Sequence, residues 1–506
     1  MDLAQARAER KERRDQKKSL QSHKIEIESI LINAHKLHQA GQLTEALPFY
    51  EKVIELGCSQ ADVFNNYGLV LKEVERWDEA IVNFHNAISL DGSHAAAFNN
   101  LGNVLSQLGN KYEAVDAYRN AVNLKPEFDQ FLSNFGVALQ DITEYEKAEQ
   151  VFTKILKINP NFGSAYSNLA TAQNSLGRTE EALANFKKRF NRERGDDLLI
   201  PNHKSFLTTS KSKMDHDIEQ FHYLHNLGLT EKPFGKIAAL YETIRDETYW
   251  PTGKEPLISL TQDQRRRIGA TYNRAYYHPE APALETSPIN PNLDTDYITK
   301  AYFDGVNECK QVVTVDNLLT EEAITSLQKY LRESTIWYDI YRRGYLGAFL
   351  GEGLECGLLL QIANDLSKKF PTIFKDYKLN QLWANKYDSQ LKGIGLHADF
   401  AAVNVNFWVT PDDANLNPEN GGLVVYGHEA PLNWNFESYN RDEKKIRNYL
   451  TENKSPRTVI PYRCNRMGLF NSDLFHETDT INFKTGYENR RMNVTMLFGA
   501  RQTTHE

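Results

Sequence analysis

Long apolar runs are missing from this 506-residue chain. Nowhere do about 18 apolar residues follow one another, so no membrane-spanning helix is expected. Cysteine is scarce: Cys58, Cys309, Cys356 and Cys464 stand apart, with no CxxC pair and no ladder of a small secreted domain, which suits a reducing compartment. There is no excess of positive charge. A net charge of −8 offers phosphate backbones no general attraction, so nucleic acid is not an expected partner. The opening MDLAQARAERKERRDQKKS lacks the apolar stretch of a signal peptide and carries Asp2, Glu9, Glu12 and Asp15, which transit peptides avoid. It reads as a solvated helix or frayed tail, and the protein as cytoplasmic. What is present is ordinary globular composition, 41% hydrophobic and 25% charged, with length enough for two or three domains.

The first third is periodic. Ala46, Ala80, Ala114, Ala148 and Ala182 recur every 34 residues. An aromatic follows each by four (Tyr50, Phe84, Tyr118, Phe152, Phe186), and a small residue precedes each by twelve (Ala34, Gly68, Gly102, Gly136, Ala170). Small residues let two helices approach, and the aromatic fills the groove beside them, which predicts stacked helix–turn–helix units. The pattern resembles the tetratricopeptide family over residues 27–190, five repeats following a charged lead at 1–26. Asn66, Asn100, Asn134 and Asn168 recur within FNNYG, FNNLG, LSNFG and YSNLA. In this they are similar to the repeats of O-linked N-acetylglucosamine transferases, where an asparagine at this position lines the inner surface and bonds peptide backbone. That resemblance implies a concave surface that grips a peptide or protein. A ladder of asparagines bonded between helices or to water explains the same spacing.

From residue 191 the period fails, and a helical connector with loops is expected to about residue 300. Glu219-x-x-His222, near Asp215, His216, Asp217 and His225, has the form used in di-iron bundles, but such a site needs a second pair and two further glutamates. Ile218, Phe221 and Leu224 instead read as a buried stripe, so packing or an interface is expected. Arg265–Arg267 reads as a solvated helix face.

After residue 380, short runs rich in β-branched and aromatic residues (LWANKY, VNVNFWVT, GGLVVYG, MGLFN, MNVTMLFG) alternate with turn residues, which indicates a β-sandwich or jelly-roll barrel. Residues two apart on a strand face one side, so His397 and Asp399 can aim at one point and a second strand can bring His476 there. Two imidazoles and one carboxylate form the facial set of non-haem Fe(II) oxygenases, with positions left open. Asn404, Asn406 and Trp408 share a strand face, which suggests either an interior holding a polar ligand or groups that satisfy rim loops.

Within a domain expected over residues 301–506, about residues 301–501 resemble the 2-oxoglutarate-dependent dioxygenases of the prolyl-hydroxylase-like type. The resemblance implies a double-stranded β-helix with flanking helices, and a multidomain α + β chain overall with an N-terminal α-solenoid. It further implies Fe(II) held by His397, Asp399 and His476, with 2-oxoglutarate and O2 as cosubstrates and ascorbate as an optional reductant. Arg491, rather than Arg490, is expected to pair with the far carboxylate of 2-oxoglutarate, and the Tyr387 hydroxyl to reach the cosubstrate near Asn406 and Trp408. Asn493 stands where the family often has serine or alanine, which affects how the arginine is braced. Retention of Asp399 argues for hydroxylation, because halogenating members replace this carboxylate. Tyr341, Arg342, Arg343 and Tyr345 are candidates for the mouth of the site. A hydroxylase of a peptide or protein recruited by the repeats is expected. The alternative is a small-molecule hydroxylase whose repeats serve as a scaffold.

Overall fold

A computed structural model describes residues 3–195, 204–252, 256–305, 309–341, 343–388 and 393–501. The chain forms two compact units that divide after Pro160.

The first unit is an array of paired helices: α1 (Leu3–Gln39) with α2 (Leu43–Glu55), α3 (Ala61–Glu73) with α4 (Trp77–Leu90), α5 (Ala95–Gln107) with α6 (Lys111–Leu124), and α7 (Asp129–Asp141) with α8 (Tyr145–Ile158). The charged lead is not a separate element, since α1 runs through it into the first pair. The periodic alanines and aromatics are buried. The glycines explain the close approach: a Cβ on Gly68, Gly102 or Gly136 would come within 2.7 Å of the ring of Phe84, Tyr118 or Phe152. A further period of 34 closes each first helix. Gly41, Glu75, Gly109 and Thr143 all have φ between 62° and 84° there, a conformation that suits glycine and strains a threonine.

The second unit opens with a fifth pair, α9 (Gly163–Ser175) and α10 (Thr179–Arg194). Its Ala170, Ala182, Phe186 and Phe190 belong to the main core of this unit. Then follow β1 (Thr208–Thr209), α11 (Lys211–Asn226), α12 (Phe234–Glu247), β2 (Ile258–Ser259), α13 (Gln262–Ile268) and α14 (Thr295–Asp304). The remainder is strand-rich: β3 (Val312–Val315), α15 (Glu321–Glu333), β4 (Asp339–Tyr341), β5 (Tyr345–Phe349), α16 (Gly357–Lys369), α17 (Pro371–Phe374), β6 (Leu379–Tyr387), β7 (Val403–Trp408), β8 (Leu423–Glu429), α18 (Glu443–Glu452), β9 (Arg457–Ile460), β10 (Met467–Asn471), β11 (Leu474–Thr478) and β12 (Met492–Phe498).

A seven-stranded antiparallel sheet has the order β3-β10-β7-β12-β6-β5-β4, and a three-stranded one the order β11-β8-β9; neither closes on itself. Alternation along the strands divides the large sheet into two faces. Val403, Val405, Phe407, Met492, Val494 and Met496 pack with residues of α15 and α16 in the main core. The opposite face carries Asn404, Asn406, Trp408, Asn493 and Thr495, held side by side by the pairing of Asn493 with Trp408 and Thr495 with Asn406. Trp408 and Phe470 of this face share a core with Leu423, Val425 and Leu474 of the small sheet. Polar side chains are therefore held between the two sheets.

Candidate metal centre and adjoining cavity

His397 and Asp399 do not lie in a regular strand. His397 makes a single antiparallel bridge to His476, exchanging hydrogen bonds of 3.0 and 2.8 Å, while the Ala398 amide bonds the Tyr439 carbonyl and the Asp399 amide bonds that of Ser472. Three successive amides anchored to three segments fix the loop without a ladder.

The arrangement brings the expected triad together. One ligand atom from each of His397, Asp399 and His476 lies within 4.8 Å of the others, the one such group among the described residues. His397 Nε2 is 3.6 Å from Asp399 Oδ1, and His476 Nε2 is 3.4 Å from Asp399 Oδ2. The Nδ1 atoms face backbone carbonyls, His397 that of Gly395 at 2.8 Å and His476 that of Leu474 at 3.0 Å. With Nδ1 as donor, each Nε2 presents a lone pair, the tautomer a metal requires. Burial lowers the His397 pKa, as does His476. For Asp399 burial pushes the pKa up, but His397, His476 and Asn404 pull harder and the carboxyl lies below its ordinary value. Asn404 Nδ2 donates to Asp399 Oδ2 at 2.8 Å and aims it.

Arg491, at the head of β12, is 1% exposed and lies on the face between the sheets. Its Nε donates to the Gly421 carbonyl (2.6 Å), Nη2 to that of Gly422 (3.2 Å) and Nη1 to Asn493 Oδ1 (3.1 Å). Asn493 thus braces the arginine directly. Gly421 and Gly422 support this arginine through their backbone. Gly421 has φ +87°, a Cβ on Gly422 would collide with the Ile460 carbonyl, and both glycines present carbonyls to the guanidinium. Backbone acceptors such as these leave no residue-type signature in the sequence. Tyr387 is equally buried and meets Arg491 with its ring face, the guanidinium standing 4.4 Å above it. Arg490 turns the other way, pairing with Glu219 at 2.8 Å.

Several buried polar atoms here find no hydrogen-bond partner: Asn385 Nδ2, Asn404 Oδ1, Asn406 Oδ1 and Trp408 Nε1. Asn406 Nδ2 is engaged by Thr495 at 2.8 Å. Buried polar groups are normally satisfied, and these four lie together on or beside one face of the large sheet.

A cavity of about 340 Å³ opens beside the triad, lined by His397, Asp399, Asn385, Trp383 and the tyrosines of β4 and β5. Tyr341, Arg343 and Tyr345 line it as expected; Arg342 lies outside the described residues. Tyr341 stacks on Tyr345 at 4.4 Å and Tyr345 on Tyr387 at 5.3 Å, and Arg343 pairs with Glu443 at 2.7 Å.

Outside the site, Glu219 and His222 do not share a ligand, since His222 faces Glu242 at 2.9 Å. In the repeats, Asn100 Nδ2 donates to Asn65 Oδ1 (2.9 Å), Asn134 Nδ2 to Asn99 Oδ1 (2.8 Å), and Asn66 Nδ2 contacts His35 Nε2 (3.3 Å). Each reaches back to the preceding repeat. Asn168 occupies the matching position of α9, in the second unit.

Comparison with known proteins identifies the repeats. Models of the tetratricopeptide repeat match residues 95–128, 130–162 and 151–184, so the chain contains tetratricopeptide repeats. A search of curated proteins gave no match. Among solved structures, MamA is similar at 24% identity, over 32% of this chain and 94% of its own, with a TM-score of 0.31. YrrB, described as a TPR protein with an unusual peptide-binding site, matches at 25% identity over 34% of this chain and 84% of its own, with a TM-score of 0.30. MamA from Desulfovibrio magneticus RS-1 matches at 18% identity over 34% and 97%, with a TM-score of 0.32.

Proposed function

We propose that the C-terminal region is an Fe(II)- and 2-oxoglutarate-dependent dioxygenase that hydroxylates a peptide or protein recruited by the repeats. The observation that carries this reading is the convergence of His397 Nε2, His476 Nε2 and the Asp399 carboxylate at the edge of a cavity, each already oriented by a second hydrogen bond. Two nitrogens and one oxygen suit Fe(II) with open positions for cosubstrates. The large and small sheets are read as the two halves of a double-stranded β-helix, supported by the side chains they share.

When bound, iron with 2-oxoglutarate and O2 supplies the power to insert oxygen into an unactivated C–H bond, with succinate and CO2 as coproducts. The protein's part is placement. Arg491 has five N–H donors, of which three are engaged by Gly421, Gly422 and Asn493. One on each terminal nitrogen remains, enough for a bidentate grip on a carboxylate. Tyr387 and Trp408 wall that guanidinium, at 4.4 and 5.9 Å, and exclude water from the pair. Asn385, Asn406 and Trp408 offer the unpartnered polar atoms that orient the remainder of the cosubstrate or substrate.

One observation favours a second reading, a small-molecule hydroxylase with the repeats as scaffold: the amides of Asn100 and Asn134 are committed to neighbouring repeats. Mass spectrometry of a cell lysate incubated with the protein, Fe(II) and 2-oxoglutarate separates the two. Added oxygen on peptides, lost in His397→Ala, is expected. Oxygen on metabolites alone supports the second reading, and oxygen on neither with no succinate formed contradicts both.

A further inference from the structure

We propose that a second cavity in the C-terminal unit binds a small anion joined to a flat apolar group. This cavity, of about 510 Å³, lies between the β1–β2 pair and α13. It is lined by the apolar Phe206, Leu207, Leu260 and Ile268 and by Arg265, Arg266 and Arg274, and among the described residues no acidic side chain lines it.

The arginine run of α13 divides here. Arg267 pairs with Glu247 at 2.7 Å, and Arg266 with Asp263 at 2.6 Å, as expected of a solvated face. Arg265 has no ion pair among the described residues, and its Nε is buried with no hydrogen-bond partner. Arg274 likewise has no carboxylate partner among the described residues; its guanidinium lies 5.9 Å from the Phe206 ring, with that of Arg194 at 5.4 Å. A guanidinium is always charged and the buried Arg265 Nε is a donor without an acceptor, so Arg265, with Arg274 lining the same cavity, suits an anion. Carboxylate and phosphoryl oxygens both match the planar donor fork. The apolar lining, with a phenylalanine ring already flanked by guanidinium groups, accepts a flat hydrophobic body beside the anion. The site lies on different elements from the triad and does not depend on the proposed oxidation.

Calorimetric titration of the full chain with phenyl phosphate, adenosine monophosphate and benzoate tests this, with inorganic phosphate and phenol as controls. At least one aromatic anion is expected to bind about tenfold or more tighter than either control, because the apolar and cationic side chains of the cavity act together. The preference between benzoate and the phosphates identifies the anionic group. Arg265→Gln/Arg274→Gln should weaken binding by about tenfold or more. Arg265→Lys/Arg274→Lys, which keeps the charge for folding, should weaken it less, and circular dichroism verifies the fold of each. Failure of all three aromatic anions to bind at millimolar concentration overturns the proposal, as does unchanged affinity in both folded double variants.

Discussion

Asp399 faces both histidines and is aimed by Asn404, so the triad depends on a residue that is not itself a ligand. Asn404→Ala should lower Fe(II) affinity by about 10–100-fold, the usual effect of losing a hydrogen bond behind a metal ligand, without unfolding the protein. Metal titration followed by calorimetry measures this, and affinity equal to wild type would show that the carboxylate needs no such brace. The two adjacent arginines of β12 make a sharper contrast. On the proposed role of Arg491, Arg491→Ala should weaken 2-oxoglutarate binding about 10–100-fold, the loss of a charge-assisted contact of about 1.5–3 kcal/mol. Arg490→Ala breaks the pair with Glu219 and should lower the melting temperature while cosubstrate affinity stays near wild type. The reverse result would shift the register by one residue and exchange the faces of the strand. The preference for Arg491 rests on the family resemblance and on the strand face it shares with Asn493 and Thr495; alternation puts Arg490 on the opposite face. The bonds of Arg491 to the Gly421 and Gly422 carbonyls were not legible, since they depend on a loop about 70 residues away.

At the level of elements, the helix pairs follow from spacing: alanine, aromatic and small residue each repeat because each fills one position of a stacked unit. The left-handed residue that ends each first helix repeats too, but Glu75 and Thr143 hide it by standing where other repeats have glycine. Thr143→Gly should therefore stabilise the array by roughly 1 kcal/mol, as the steric cost of a Cβ in this conformation is removed. Chemical denaturation measures it; a destabilised variant would mean that the threonine side chain contributes more than its strain costs. Strand-rich character was similarly legible, whereas the loop carrying His397 and Asp399 was expected as a strand. Its anchors, Tyr439, Ser472 and His476, are distant in sequence and no local pattern announces them. The asparagine ladder was visible as a period with two meanings, and the bonds to Asn65 and Asn99 account for it within the array. Asn100→Ala/Asn134→Ala should cost about 1–3 kcal/mol of stability for two lost hydrogen bonds. If substrate kinetics are unchanged in the folded variant, peptide capture by these asparagines is excluded.

On the scale of the whole molecule, the second unit contains a buried polar cluster where α11 meets Lys386 of the large sheet and Arg490. His216 is fully buried there, Nδ1 2.9 Å from Asp217 Oδ1 and Nε2 without a partner. Burial, then Lys386, Arg490 and Lys213, hold its pKa well below 6.5. The folded imidazole is neutral while the unfolded one takes a proton below about pH 6.5, so stability falls as the pH drops from there. His216→Leu should flatten the stability profile between pH 6.5 and 5 by up to about 1.4 kcal/mol per pH unit, measured by denaturation as wild type minus variant. Asp217, whose carboxyl burial pushes up, adds a slope of opposite sign, which the subtraction reduces. Calorimetric binding of 2-oxoglutarate to the full chain with and without Fe(II) is the decisive test of the proposed role of the triad. Binding should require Fe(II), be lost in both His397→Ala and His476→Ala, and be accompanied by succinate formation when O2 is admitted. Metal-dependent binding and turnover that survive in both histidine variants would contradict it.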